Sequence, residues 1–299
     1  MTARPAVGAV LPQAEARSGG AAAVRRFAVE VERLGFDHLL AFDHVLGADS
    51  GSRPDWDGYY DHTVPFLEPF VLFAYLGAVT GLEMVSDILV LPQRQTAVVA
   101  KQAATVDVLL DGRLRLGVGI GWNKVEYDSL GVDFGTRARR FEEQIALMRR
   151  LWAEPSVHHE GPFDRIDRAG IAPRPARGTI PVWIGCGDAP TALERVGRLA
   201  DGWIPHPALG DGARLAAAWR TVREAAERAG RDPDAIGLQG QVRLRETGGP
   251  DDTDVHVERW IRHGATHIGL NTLEAGLAWP DGHLEALRTV AARWPTGTR

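Results

Sequence analysis

The residues best suited to acid–base chemistry are a histidine and an acid at the end of an apolar run. Asp43 and His44 follow a run that begins at Leu39. Histidine is the side chain that most readily exchanges a proton near neutral pH, so the pair indicates proton transfer to or from a bound molecule. The alternative is a packed histidine that is hydrogen-bonded beside Asp43. Further residues stand just past other apolar runs: Gln13, Pro92, Gln93, Trp122, Asn123, Gly187, Asp188, His206, Arg243 and Asn271.

Two glycine-rich segments could bring a ligand close to the backbone. Gly185–Gly187 ends an apolar run and is followed by Pro190 and Thr191 at the start of a helical pattern. Free N–H groups and the positive end of a helix could bind a phosphate there, although a plain tight turn explains the sequence equally well. The segment Gly117–Gly121 resembles a dinucleotide loop only loosely. Its missing side chains better suit the close approach of a flat ring or of backbone.

The sequence lacks the residues that several other reaction classes require. The chain has no Gly-x-Ser-x-Gly elbow and no Walker-type Gly-Lys-Ser/Thr loop. A metal-dependent barrel hydrolase would need a His-x-His pair on an early strand, whereas the first strand ends in Val10–Gln13. The pair His158–His159 is expected to be solvated, and no metal site is predicted. Cys186 is the only cysteine and has no histidine beside it in sequence, so we do not expect a nucleophile.

The elements that must position these residues alternate between short apolar β-type runs and amphipathic helical stretches, a pattern typical of parallel βα units. The predicted strands are Val7–Leu11, Leu39–Val45, Met84–Leu91, Leu114–Ile120, Val182–Cys186, Gly202–Pro205, Ile236–Leu244 and Ile268–Thr272. Helical spacing is visible in Val24, Phe27, Val31 and Leu34 and in Phe141, Ile145, Met148 and Trp152, and further helices are predicted at Phe70–Ala78, Ala97–Leu110, Thr191–Leu199, Arg214–Ala229, Val255–Arg262 and His283–Ala292. About eight βα units favour an α/β fold of the (β/α)8 TIM barrel type over a doubly wound sheet with a second domain.

Two insertions interrupt this alternation. Gly47–Pro65 follows the second strand and carries Trp56, Tyr59 and Tyr60. Because barrel active sites are built at the C-terminal ends of the strands, this insertion is predicted to be a substrate loop. The other insertion, Ala153–Pro181, precedes the fifth strand.

Composition limits the partners. The chain has 299 residues, 44% of them hydrophobic and 24% charged, with a formal net charge of −5, and we expect one domain over residues 1–299. No run of like charge suggests a nucleic-acid or membrane surface, so we expect small molecules or copies of the chain as partners. No apolar run approaches the roughly 20 residues that span a bilayer. The start lacks a signal-peptide pattern, and with a single cysteine the expected location is a reducing cytoplasm.

Several segments in combination resemble the bacterial luciferase-like monooxygenase superfamily. They are Leu89–Arg94, Ala100–Arg113, Leu116–Asn123 with Glu126, Phe141–Ile145, Pro181–Gly185 and Ala200–Trp203. The likeness covers the chain from about Val7 to Pro205 and rests beyond that on the order of strands and helices. Within the superfamily, the arginine-rich chain looks most similar to oxidoreductases that use the deazaflavin coenzyme F420. The resemblance implies a TIM barrel, often dimeric, with a tricyclic ring across its C-terminal mouth.

Taken residue by residue, the resemblance assigns His44, preceded by Asp43, to proton transfer or orientation near the ring. It places a non-proline cis peptide at Asp87–Ile88, behind the ring. Asp87 departs from the small residues that are commoner there, and we expect it to reach a ring or substrate group. The other cofactor-binding residues that the resemblance and the strand ends suggest are Gly119, Trp122, Asn123, Gly185, Cys186, Gly187 and Thr191.

The resemblance also bears on the substrate. Trp122 stands where glucose-6-phosphate dehydrogenases of the F420 class have a catalytic glutamate, so sugar-phosphate oxidation is not expected. Arg94, Lys101 and Arg243 are candidates for binding the charges of a cofactor tail, or equally for surface or dimer contacts.

The expected function is therefore an oxidoreductase that transfers a hydride between F420 and a small, partly apolar substrate held by the Trp56–Tyr60 loop. A same-fold alternative is an FMN-dependent monooxygenase, in which reduced flavin reacts with O₂. A non-catalytic flavin-binding protein on the same scaffold is a hypothesis of another class. A metallohydrolase barrel would carry zinc, but its ligand set is missing. The expected partners are a small-molecule substrate and a second copy of the chain.

Overall fold

The chain folds into a closed barrel of parallel strands surrounded by helices. The computed structural model describes residues 4–210 and 212–293. Its strands are β1 (Ala6–Val10), β2 (His38–Ala41), β3 (Glu83–Ser86), β4 (Leu89–Val90), β5 (Leu114–Gly119), β6 (Val157–Glu160), β7 (Arg165–Ala169), β8 (Val182–Cys186), β9 (Gly202–Pro205), β10 (Gly237–Arg243) and β11 (His267–Asn271). Its helices are α1 (Gly20–Arg33), α2 (Pro69–Gly77), α3 (Thr96–Leu109), α4 (Lys124–Ser129), α5 (Arg137–Ala153), α6 (Pro190–Leu199), α7 (Ala213–Arg228), α8 (Pro250–Arg262) and α9 (Asp281–Arg293).

The strand pairing confirms the predicted (β/α)8 TIM barrel. Going round the circle, β1, β2, β3, β5, β8, β9, β10 and β11 pair in parallel with their neighbours. The circle closes where β1 pairs with β11. All these strands run in one direction, so their carboxyl ends meet at a single mouth. Within the described ranges, no helix is long and apolar enough to cross a membrane.

Two strands depart from their predicted bounds near that mouth. The predicted strand Met84–Leu91 is divided into β3 and β4, and the peptide bond Asp87–Ile88 between them is cis, as the resemblance implied. The second strand ends at Ala41 instead of Val45. Beyond it the chain turns over the mouth, where the N–H groups at positions 45 and 46 donate to a side chain instead of to a neighbouring strand.

The second insertion, Ala153–Pro181, contains regular secondary structure. It forms the antiparallel hairpin of β6 and β7, which we did not predict. Glu143 on α5 anchors this hairpin by accepting hydrogen bonds from the Phe163 and Asp164 amides. His159 pairs with the same carboxylate at 3.0 Å, while His158 is more than half exposed beside Asp167. The expectation of two solvated histidines is therefore wrong for His159.

Large side chains from opposite strands fill the barrel below the mouth. Arg115 is buried, donates to Glu83 and Gln239, and lies 4.6 Å from the centre of the Trp183 ring. A side chain at Gly202 or Gly237 would collide with Trp183, so these glycines make room for the indole. The packed layer forms the floor above which a ligand could bind.

Candidate functional site

A cavity of about 450 Å3 opens at the carboxyl ends of the barrel strands. This size falls within the usual range of small-molecule sites, and the position is the one that TIM-barrel enzymes use. The predicted site residues that the fold brings to its wall are Asp43, His44, Tyr59, Tyr60, Asp87, Ile88, Trp122, Asn123, Gly185 and Cys186. Gly119, Gly187, Thr191 and Trp56 are not among the lining residues.

The ring of His44 packs at the wall among three aromatic rings and beside a carboxylate. Its Nδ1 lies 3.6 Å from Oε2 of Glu126, and its side chain is 13% exposed. The rings of Tyr60, Phe66 and Trp122 surround the imidazole at centroid distances of 5.2, 4.8 and 5.9 Å. Because Nδ1 faces the carboxylate, Nε2 is the nitrogen available for a ligand.

Glu126 is a buried carboxylate whose oxygens all have donors. Oε1 accepts from the amides of Val45 and Leu46, and Oε2 accepts from Nε2 of Gln93 at 3.0 Å. Burial alone favours the neutral acid, but the contacts with His44, Gln93 and the Leu46 amide outweigh it and lower the pKa of Glu126. The carboxylate is therefore ionised beside His44.

Asn123 places this carboxylate. Its Oδ1 caps the short helix α4 by accepting from the amides of Val125 and Glu126 at 3.1 and 3.4 Å. Its Nδ2 donates to the carbonyl oxygen of Leu46 at 3.3 Å. The amide that we predicted to bind a cofactor is thus used to join α4 to the chain after β2, although Asn123 also reaches the cavity wall.

Asp43 has a different environment from its neighbour His44. Oδ1 accepts from Arg94 at 2.8 Å, and Oδ2 accepts from the Val90 amide at 3.0 Å. Burial raises the pKa of Asp43 and outweighs the opposing effect of Arg94. These contacts join the end of β2 to β4 and use both oxygens within the protein, so they favour positioning over proton transfer.

Asp87 and Gln241 form a polar patch on the cavity wall. Gln241 Nε2 donates to Asp87 Oδ2 at 3.2 Å. Burial raises the pKa of Asp87 to about 6, although Arg115 and Gln241 act in the opposite direction. A carboxyl group with such a pKa can accept or donate a hydrogen bond near neutral pH.

The insertion after β2 contributes an aromatic wall. Trp122 lies 5.8 Å from Trp56 and 5.4 Å from Tyr59, measured between ring centres. A Cβ at Gly58 would collide with both indoles, so glycine is required for this packing. Tyr59 is 69% exposed and also approaches His206 on the opposite side of the mouth at 6.4 Å. Trp56 thus supports the wall from behind, while Tyr59 and Trp122 face the opening.

Ile88 explains the role of two glycines. A side chain at Gly119 or Gly185 would collide with Ile88. Ile88 fills the space that we predicted Gly119 would leave for a flat ring, and it is Ile88 that reaches the cavity. Gly119 therefore acts through Ile88, which corrects its predicted contact with a ligand.

The predicted anion turn between β8 and α6 is only partly at the cavity. Gly185 and Cys186 line it, whereas Thr191 is exposed on α6. Asp188 in this turn is paired with Arg214, which lowers the pKa of the carboxyl group. Burial raises the pKa of the Cys186 thiol to about 12, so the sulfur is not a thiolate at neutral pH.

The three cations suggested for a cofactor tail have separate environments. Arg94 is paired with Asp43, and Lys101 donates to the carbonyl oxygen of Ala172. Arg243 lines the cavity and pairs with Glu246 at 2.6 Å. Among these three, Arg243 alone lies at the site.

The sequence analysis gave no site role to Glu126 or Gln241, although both contact predicted site residues at the cavity. Asn123 and Glu126 follow the spacing of a helix-capping sequence, a signal for an acid at the start of α4. Gln241 belongs to the alternating polar series Gln239, Gln241 and Arg243 on β10. Period-two alternation on a barrel strand indicates side chains that face the interior.

Comparison with known proteins decides the family. The sequence profile of the luciferase-like monooxygenases matches residues 6–268. The chain belongs to this family. Its curated relatives include an uncharacterised protein of Mycobacterium tuberculosis, 39% identical over 152 residues, which are 50% of this chain and 52% of the relative. The chain thus aligns with about half the length of that relative.

A second relative has a named activity. The phthiodiolone/phenolphthiodiolone dimycocerosates ketoreductase of Mycobacterium tuberculosis is 31% identical over 258 residues, covering 77% of this chain and 65% of the relative.

Solved structures of both cofactor classes share the luciferase-like fold. An F420-dependent secondary alcohol dehydrogenase in complex with an F420-acetone adduct has a TM-score of 0.77 at 16% identity, over 99% of this chain and 100% of the other. The oxygenating constituent of 3,6-diketocamphane monooxygenase from Pseudomonas putida, in complex with FMN, has a TM-score of 0.74 at 15% identity, over 99% of both chains. At these identities the likeness shows the fold alone.

Proposed function

We propose that the protein is an oxidoreductase that binds coenzyme F420 at the barrel mouth and exchanges a hydride with a small, partly apolar substrate. The observation that carries this proposal is His44, held against an ionised carboxylate with Nε2 free at the wall of the cavity. Hydride transfer to or from a carbonyl carbon must be matched by a proton on the oxygen, and histidine can supply or accept it.

The residues of the cavity fit a deazaflavin or flavin. Ile88 and Trp122 offer apolar surface for a flat ring, and Asp87 with Gln241 offers hydrogen-bonding groups for a polar ring edge. Arg243 lies where an anionic tail could leave the mouth. The bound ring would supply hydride chemistry that no protein side chain provides. The protein would orient the ring, exclude water and hold the proton at His44.

The aromatic wall supports the substrate assignment. Trp122, Tyr59 and Tyr60 present large apolar surfaces at the entrance, with His44 behind them. Such a surface favours a substrate with an apolar body over a fully hydroxylated sugar. The ketoreductase among the relatives supports a carbonyl or secondary alcohol as the reacting group.

FMN-dependent monooxygenation is the second candidate. The FMN complex among the structural neighbours supports it, because that ligand is bound on the same fold. Both cofactors have a tricyclic ring, and the contacts described above suit either one.

Parallel fluorescence titrations of the purified protein with F420 and FMN test the proposal. We expect micromolar binding of F420 and much weaker binding of FMN. A preference for FMN would favour the monooxygenase, and binding of neither would contradict both candidates. The variant Ile88→Trp is the control, because an indole in place of Ile88 should fill the cavity and weaken binding of either ring.

We also propose that the protein is a homodimer. Val71 and Tyr75 on α2 and Val98 and Leu109 on α3 are apolar side chains that are 42% to 71% exposed. Exposed apolar surface of this kind on adjacent helices suits contact with a second copy. Light scattering after size-exclusion chromatography should give twice the chain mass of 32.5 kDa, whereas a monomer would contradict the proposal.

A further inference from the structure

We propose that Glu126 is a positioning residue for His44: it keeps the proton on Nδ1, stabilises the imidazolium ion, and leaves Nε2 as the atom that exchanges a proton with the ligand. The use of that proton rests on the proposed function. The pairing itself is a property of the free protein, and it can be tested without cofactor or substrate.

The position of Glu126 is fixed from three elements of the fold. Its own helix, α4, begins beside the cavity. The amides of Val45 and Leu46, just past β2, hold Oε1, and Gln93, just past β4, donates to Oε2. With both oxygens held, the carboxylate cannot turn away from Nδ1 of His44 without breaking several hydrogen bonds.

The charge of Glu126 is available to His44. Its other donors, two amides and Gln93, are uncharged. Among the ion pairs of residues 4–210 and 212–293, Glu126 has no arginine or lysine partner. Asp43, the other acid next to His44, is instead neutralised by Arg94 at 2.8 Å. Of the two acids, Glu126 is therefore the one that can stabilise a positive imidazole.

Few other titratable groups face the imidazole. Tyr60 packs against it on the side of the substrate loop, and burial together with the charge of Asp87 raises the pKa of this phenol, which stays neutral. Phe66 and Trp122 complete the surroundings and carry no charge. Among the ion pairs of the described residues, Glu126 is thus the charged group placed against the imidazole.

The chemical consequence is a proton transfer in which Glu126 does not itself exchange the proton. An O–H bond of the ligand breaks as an N–H bond forms at Nε2, and the reverse occurs in the other direction. No electrons pass through the histidine, because they move with the hydride between substrate and cofactor. In this scheme Glu126 keeps its negative charge, because its contacts lower its pKa.

The test is nitrogen-15 NMR of the histidine rings in the cofactor-free protein, with the His44 signals assigned by their loss in His44→Gln. We expect neutral His44 to carry its proton on Nδ1. In Glu126→Gln, which keeps an oxygen to accept from the Val45 and Leu46 amides, the side-chain NH₂ group would face Nδ1, so the proton of neutral His44 should move to Nε2. Glu143→Gln is the matched control, since it removes the partner of His159 and should leave His44 unchanged.

Two results would overturn the proposal: a proton on Nε2 of neutral His44 in the wild type, or a proton still on Nδ1 in a folded Glu126→Gln. If that variant does not fold, the wild-type tautomer still decides, and Glu126→Asp, which keeps the carboxylate, should keep the proton on Nδ1. Failure of F420 to bind would reject the proposed function and leave these NMR results intact.

Discussion

The barrel contains two buried polar networks, one at its mouth and one near its floor, and they differ in what they leave accessible. At the mouth, Gln93 donates to Glu126, Glu126 lies beside His44, and His44 lines the cavity. Near the floor, Arg115 is surrounded by Glu83, Gln239 and Trp183, the ring of His267 packs against Trp183, and that of His38 packs against His267; these side chains do not line the cavity.

The histidines of the two networks have neighbours of opposite charge. Burial, followed by the charge of Arg115, lowers the pKa of His38 far below its usual range and that of His267 to about 3. These histidines are therefore neutral, and proton exchange there would oppose folding. At the mouth the histidine faces an ionised acid instead of a guanidinium. Burial is the larger cause of this lowering, and the neighbouring charge adds to it: the floor histidines lie near a guanidinium, whereas His44 lies beside a carboxylate.

The largest effect is expected from a substitution at the mouth, where His44 should control turnover. In His44→Gln, turnover should fall by about 10²- to 10⁴-fold, because general acid–base catalysis contributes that much. The affinity for F420 should change little, as measured by fluorescence titration beside steady-state kinetics with a carbonyl or alcohol substrate found by screening. His159→Gln, which also removes a histidine paired with glutamate, is the control and should keep full turnover. Equal losses of turnover and affinity would assign His44 a binding role.

A substitution in the floor network around Arg115 should lower the stability of the protein. Replacing Arg115 with leucine removes the partner of Glu83 and Gln239 and should lower the free energy of unfolding by about 3 kcal/mol. Urea titration followed by circular dichroism measures this loss. Arg228→Leu removes an exposed pair with Glu194 and should have a much smaller effect. If both substitutions destabilised the protein equally, the floor would not be a distinct network.

The neutral floor histidines should make stability depend on pH. Below pH 6.5, the ordinary pKa of an unfolded histidine being about 6.5, the unfolded chain binds a proton at position 267 that the folded protein does not. The free energy of unfolding should therefore fall with decreasing pH, by up to about 1.4 kcal/mol per pH unit. This fall should end where folded His267 titrates, near its pKa of about 3. Urea titrations between these limits should show a smaller slope in His267→Gln than in the wild type. His158→Gln, at an exposed site, should keep the wild-type slope.

Asp87 lies between the two networks and should give the smallest effect. Its pKa of about 6 means that the carboxyl group loses its proton as the pH rises through that value. The neutral form can donate to an oxygen on the ring edge and the ionised form repels it, so affinity for F420 should decrease as the pH rises. Asp87→Asn should abolish this dependence in titrations over the same range. If the pH dependence of F420 affinity persisted in Asp87→Asn, another titratable group would be its cause.

The fold was predictable from sequence because apolar runs that alternate with amphipathic helical stretches directly indicate the strands of a barrel. Val182–Cys186 and Gly202–Pro205 coincide with β8 and β9. The hairpin of β6 and β7 was missed because its sequence is polar and its stability comes from Glu143 on a different element. Local patterns cannot reveal such a long-range anchor.

The site was predictable only in part. His44 stands at a strand end, where position alone suggests a role. Its partner Glu126 and the partner of Asp87, Gln241, come from distant segments, and their roles follow from three-dimensional contacts. Gly119 was misassigned because sequence does not say which side chain, here Ile88, occupies the space that a glycine leaves.

The most direct test of the account is a crystal structure of the protein grown with F420 at a saturating concentration. We expect the ring in the cavity against Ile88, with Nε2 of His44 facing its reactive side and Nδ1 still beside Glu126. An empty cavity under those conditions, or a ring bound elsewhere on the surface, would contradict it.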